Sequence, residues 1–168
     1  LLYKLDPDLV SEALGRLTDC FEVTKYSSLS QLRENLEKFS DKQPAFGIYA
    51  GNQDYRLLIA PILDPNVSRL DQLDVKILHD QIISKFFGVD VTIPEDQEKI
   101  SYKADTSQAI EMVRSGDYQI AFLMNPTSVN HVNEVALDGK TMPQKSTFFY
   151  PKLATGITFN LLNSPILI

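Results

Sequence analysis

Ala45-Phe-Gly-Ile-Tyr-Ala50 and Tyr55-Arg-Leu-Leu-Ile-Ala60 are two apolar runs separated only by Gly51-Asn-Gln-Asp54. A short polar gap led by glycine between two such runs reads as the loop of a β-hairpin. This hairpin decides the fold class, because it breaks the regular helix–strand alternation seen elsewhere along the chain.

Upstream of it, Asp6 can cap a helix that has Pro7 at its first position and an apolar stripe of Leu9, Val10, Ala13, Leu14 and Leu17. Cys20–Tyr26 then sets Phe21 and Val23 against Glu22 and Thr24, the pattern of a half-buried strand. Ser28 with Gln31 makes a capping box for a second amphipathic helix through Leu29, Leu32, Leu36 and Phe39.

Downstream, Pro61 to Ser68 reads as a long surface loop. Asp71 or Asp74 starts a third helix with Val75, Leu78, Ile82 and Phe86 on one face, and Gly88 ends it. A polar linker from Pro94 to Lys99 leads to a short strand, Ile100–Lys103, and Asp105 with Gln108 caps a fourth helix stopped by Gly116. Gln119–Met124 is a continuous apolar run, as expected of a strand covered on both faces. Asn125-Pro-Thr127 is expected to open a fifth helix with Val129, Val132 and Ala136 inward, and Ile157–Leu161 alternates as a last strand. The expected architecture is therefore α/β or α+β, a mixed β-sheet with about five helices packed on it. Residues 1–168 are expected to form one domain, with a sub-domain joint near residues 61–70.

The composition, 43% hydrophobic and 23% charged, is that of an ordinary folded protein and excludes intrinsic disorder. No apolar run approaches the roughly 20 residues of a membrane helix. The Leu1-Leu2 start has no basic n-region and no apolar stretch after it, so it is not expected to be a signal peptide and reads as a start in mid-protein. Cys20 is the sole cysteine, which rules out an internal disulfide and a cysteine-based zinc site and fits a reducing cytoplasm. The net charge of −6 argues against nucleic acid or an anionic membrane as partner, since both require a cationic surface. That charge is uneven: residues 139–168 carry Lys140, Lys145 and Lys152 with no acid, against −9 for residues 1–138. A cationic end on an acidic domain favours a small anion.

The most unusual segment lies there: Met142-Pro-Gln-Lys-Ser-Thr-Phe-Phe-Tyr-Pro-Lys-Leu153. Lysines and hydroxyls between two prolines can donate several hydrogen bonds to a phosphate or carboxylate, beside an aromatic wall. Lys145, Ser146, Thr147 and Lys152 are the candidate anion ligands. The structural alternative is that Phe148, Phe149 and Tyr150 fill a core and the lysines are surface charge. Gly139-Lys-Thr141 only imitates the end of a P-loop, because the position that needs the earlier glycine is Glu134. His79, beside Asp80 in the third helix, is expected to be partly buried and hydrogen-bonded, and is a weaker ligand candidate. His131, flanked by Asn130, is expected in solvent. Two histidines about 50 residues apart make no zinc site, so no metal and no cofactor are expected. No Gly-x-Ser-x-Gly elbow or paired carboxylates mark a catalytic centre.

The twelve-residue run Met142–Leu153, followed by Thr155-Gly156, resembles the closing signature of a large bacterial and archaeal family of unknown function. Leu73–His79, Ala121–Thr127 and Phe46–Tyr49 resemble the same family in the same order. That resemblance implies a C-terminal part of a protein about twice as long. Its upstream half would carry a Gly-His-His-Arg motif similar to the ParB and sulfiredoxin superfamily, which includes a free-serine kinase. Genes of the family often accompany those of serine biosynthesis, which implies chemistry on a phosphorylated or carboxylated metabolite. The implied partners are the N-terminal half of the same chain and a small anionic metabolite. The alternative role is a packing or dimerisation module forming a homodimer.

Overall fold

A computed structural model describes residues 1–40, 42–61, 67–143 and 146, and in it the hairpin is the centre of a four-stranded antiparallel sheet. The strands are β1 (Glu22–Tyr26), β2 (Ala45–Tyr49), β3 (Tyr55–Ile59) and β4 (Ala121–Met124), in the order β1-β3-β2-β4. β1 adds to the outer edge of β3 and β4 to that of β2, both antiparallel, so the described sheet is of α+β type with no parallel pair. The hairpin closes through Gly51–Asp54, with the Asp54 amide donating to the Gly51 carbonyl at 2.8 Å. Asn52 and Gln53 both have positive φ, 47° and 60°, as a type I′ turn demands.

The helices are α1 (Pro7–Arg16), α2 (Leu29–Glu37), α3, α4 (Pro94–Gln97), α5 (Thr106–Arg114) and α6 (Val129–Leu137). α3 runs without a break through Asp74–Ile77, a π-helical stretch at Leu78–Ser84, and Lys85–Phe87, and Gly88 ends it in the left-handed region. Capping follows the sequence closely. The Asp6 carboxylate accepts from the Asp8 amide, Ser28 from Gln31, and Asp105 from Gln108. The return arm of the Ser28 box reaches one residue further back, where the Gln31 side chain accepts from the Ser27 amide and hydroxyl.

Alternation along the strands splits the interior into two layers. Phe46, Ile48 and Leu58 face Ala13, Leu14 and Leu17 and the Ile77, Ile82 and Phe86 side of α3. Ala45, Tyr49, Leu57 and Leu123 face Leu32 and Leu36 of α2 and Ile110 and Val113 of α5. Helices cover both faces, which is why all five residues of β2 are buried and the strand reads as an unbroken apolar run. A Cβ on Gly47 would come within 3.1 Å of Leu32 and 3.2 Å of Leu123, so glycine is what lets α2 and β4 close over the central strand.

Three expectations need correction. Ile100–Lys103 is not a strand; Ile100 alone bridges to Leu2, and the polar linker before it contains the single turn α4. Asn125-Pro-Thr127 does not open α6; Ser128 caps it by accepting from the Asn130 amide. Nor do Val129 and Ala136 point inward, since Val129 and Leu137 are each 78% exposed, Ala136 is exposed, and only Val135 is buried. α6 rests on Leu73 and Val75 at the end of the sheet rather than on the sheet's face, so it needs only a narrow apolar line. Residues 62–66 of the expected joint at 61–70, and the strand expected at 157–161, lie outside the described residues. Among the described residues no helix is long and apolar enough to cross a membrane.

Candidate functional site

Because β2 and β4 are antiparallel, the entry to β2 lies beside the exit of β4, where Phe46 pairs with Met124. Lys42-Gln43-Pro44 and Asn125-Pro126-Thr127 therefore meet at one end of the sheet. Gln72, Leu73 and Asp74 at the start of α3 and His131 from the first turn of α6 complete a cleft of about 220 Å³. That is below the roughly 300–1,000 Å³ of ordinary ligand pockets, so the space suits only a small ion or a part of a metabolite.

Its polar side chains are held by backbone carbonyls from several elements. The Asn125 amide donates to the Leu36 carbonyl at the end of α2, at 2.9 Å. The Gln43 amide donates to the carbonyl of Ala60, just past β3. Gln72 donates to the Val67 carbonyl at 2.7 Å and accepts from Arg69 at 3.3 Å. Arg69 in turn lies 3.7 Å from Glu134, one turn beyond His131 on α6. Lys42 pairs with no carboxylate, and the His131 ring with no hydrogen-bonding group, among the described residues. His131 is half-buried in the wall of the cleft rather than free in solvent as its polar neighbours suggested.

The signature segment starts at this cleft. Met142 packs on the apolar floor formed by Leu73, Val75 and Val135. The Thr127 hydroxyl donates to the Ser146 carbonyl at 2.8 Å, while the Ser146 hydroxyl turns back to the Pro143 carbonyl. Of the expected anion ligands, Ser146 is thus within the described residues and next to the cleft wall; Lys145, Thr147 and Lys152 lie outside them.

His79 is elsewhere. It is buried in the π-helical stretch of α3, with Nε2 3.3 Å from the Tyr102 hydroxyl and the two rings edge-on. Loss of hydration holds its pKa below the usual 6.5; the Asp80 charge opposes this, and the Leu1 amine and Lys76 add to it. Asp80 itself is engaged by Lys76 at 2.5 Å, so it does not share a ligand with His79. Among the described residues no three histidine, cysteine or acidic side chains gather to hold a metal ion.

Of the residues that line the cleft, the sequence marked Asn125-Pro-Thr127 and Asp74 as helix starts and His131 as a solvent-exposed histidine, and it marked none of them as a ligand. The usable signal was the polar triplet Lys42-Gln-Pro44 before β2, once β2 and β4 are known to be neighbours. Fold and cleft together define an α+β domain with helices on both faces of an antiparallel sheet and a polar, amide-lined cleft at one end. No protein-family model, curated protein or solved structure matches the chain.

Proposed function

We propose that this domain forms part of the binding site of an enzyme acting on a small phosphorylated or carboxylated metabolite, in a reducing cytoplasm. The observation that carries this reading is the Thr127–Ser146 hydrogen bond, which ties Ser146 of the lysine- and hydroxyl-rich segment to the wall of a small polar cleft. Lys42 and His131 would receive the anionic group from the side of the fold described above, and Lys145, Thr147 and Lys152 from the segment itself. The resemblance to the bacterial and archaeal family points the same way, toward a longer chain whose N-terminal half brings the reacting groups. In the test, phosphate monoesters and short carboxylates are added to the intact chain and its melting temperature is followed. Shifts that disappear in Lys42→Ala and Lys145→Ala are expected; no shift with any anion up to millimolar concentration sinks the proposal.

A second reading has one observation in its favour. Val129 and Leu137 expose apolar side chains on α6, as a packing or dimerisation module would. A sedimentation measurement in which Val129→Lys leaves the mass unchanged from a monomeric parent counts against it.

A further inference from the structure

The cleft adjoins a smaller recess of about 20 Å³, and the two share Gln72, Leu73 and His131 in their linings. Lys42 stands on the cleft side of His131, while Arg69 and Glu134 line the recess. Among the described residues Arg69 donates to Gln72 Oε1 at 3.3 Å. Its Nε lies 3.7 Å from Glu134 Oε2, beyond hydrogen-bonding distance, and the two side chains are 56% and 44% exposed. An ion pair so placed contributes little to stability.

A guanidinium is a planar fork of N–H donors that seats a carboxylate or phosphate through two parallel bonds. Glu134 makes neither bond at its present distance, and its exposure lets it swing into water. The recess as it stands has room for about one water, so a second anionic group enters only by displacing that carboxylate. We infer that the ligand of this site carries two anionic groups on a short chain, one received by Lys42 and His131 in the cleft and the other by Arg69, with Glu134 as the latch that the second group displaces. Asp74 in the cleft lining is already engaged and is assigned no contact with the ligand. The inference rests on the anionic-metabolite reading above and deepens it to a substrate class, a phosphorylated carboxylic acid or a dicarboxylic acid.

Matched probes in which a carboxylate replaces a terminal methyl group test this. Calorimetric titration of the intact chain compares 2-carboxyethyl phosphate with propyl phosphate, and succinate with butanoate; the two pairs distinguish a phosphate from a carboxylate at the Lys42 end. The two-headed member of at least one pair is expected to bind about tenfold tighter, the size of one charge-assisted hydrogen bond. Arg69→Gln should erase that ratio and leave the single-headed probes unchanged. Glu134→Gln should widen it, because the latch is gone, whereas a long-range charge effect alone would also tighten the single-headed probes. Arg114→Gln removes a positive charge beside Tyr49, at the far end of β2, and should leave the ratio as in the parent. Equal affinity within each pair in both the parent and Glu134→Gln, or a ratio that falls equally in Arg69→Gln and Arg114→Gln, overturns the two-headed ligand and leaves the anionic reading standing. If none of the four probes binds at millimolar concentration, both readings fall.

Discussion

The Thr127 hydroxyl donates to the Ser146 carbonyl at 2.8 Å, across 19 residues and the whole of α6. It is a side chain from the exit of a core strand holding the backbone of the signature segment. Thr127→Val keeps the shape and deletes the donor, leaving a half-buried carbonyl unpaired, so the folded state should lose about 1 kcal/mol. If the segment contributes to the cleft, the affinity for a phosphate monoester should fall by more than the stability change explains. Urea unfolding and calorimetry on the same variant decide it, and unchanged affinity would detach the segment from the site.

The hairpin turn is a place where the chain folds against its own preference. Gln53 sits at φ 60°, where a Cβ crowds the backbone, and glycine is the residue best suited to that position of a type I′ turn. Gln53→Gly should therefore stabilise the protein by about 1 kcal/mol, although glycine substitutions generally destabilise. A raised urea midpoint with an unchanged slope is the expected result; a lowered midpoint would mean that the Gln53 side chain contributes more than its strain costs.

Local signals made much of the fold legible. Asp6 with Pro7, Ser28 with Gln31 and Asp105 with Gln108 each mark a helix start through contacts within three residues, and the hairpin is equally local. α6 was misread because its burial depends on Leu73 and Val75, more than fifty residues away, and not on its own periodicity. The cleft was hidden for the same reason. Lys42, Gln43, Asn125 and His131 come together only through the β2–β4 pairing, and no spacing in the sequence announces that pairing. His79, in contrast, was legible as a partly buried, hydrogen-bonded histidine, since its place beside an apolar helical stripe is a local property; its burial goes further than that reading.

At the end of the hairpin, Arg56 donates twice to Asp54, at 2.8 and 2.5 Å, and once to the Leu14 carbonyl near the end of α1 at 2.8 Å. The hydrogen bond from Arg56 is the main reason the Asp54 carboxyl titrates below its usual 3.8, with burial opposing and the Arg56 and Lys25 charges assisting. A carboxyl with a depressed folded pKa contributes stability that is complete above 3.8 and lost as pH falls through the folded value. Asp54→Asn should cost about 2 kcal/mol at pH 7 and flatten stability against pH below 4. Parallel acid-unfolding curves for variant and parent would show that the pair adds nothing.

Gly47 tests the layered packing directly. A methyl group there meets Leu32 Cδ2 at 3.1 Å and Leu123 Cβ at 3.2 Å. The leucine tip can swing, but the Cβ of Leu123 is fixed to β4, so α2 or the strand must shift. Gly47→Ala should cost about 1–3 kcal/mol despite the gain in strand propensity. Leu32→Ala in the same chain should recover little, because the strand contact remains. Recovery to parental stability in the double variant would move the constraint to α2 alone.

His79 gives a pH dependence with a definite sign. Its ring is buried against Tyr102, and burial is the largest influence holding its pKa below 6.5; among the charged groups, Asp80 raises it, while the Leu1 amine and Lys76 lower it. The unfolded chain therefore takes up a proton before the folded one does, so stability is complete above 6.5 and declines as pH falls through the folded value. The Leu1 amine, lowered by burial from 8.0 to about 6, adds a decline between those two values that overlaps the upper end of the histidine's, so the parent alone cannot assign the slope. His79→Phe keeps an aromatic ring edge-on to Tyr102 and removes only the His titration. It should lose the Tyr102 hydrogen bond, about 1 kcal/mol, and show a shallower decline between pH 7 and 5 than the parent. Tyr102→Phe loses the same bond but keeps the histidine, and should retain the parental slope. Urea midpoints for the three proteins across that range make the comparison, and three parallel curves would assign the dependence to other groups.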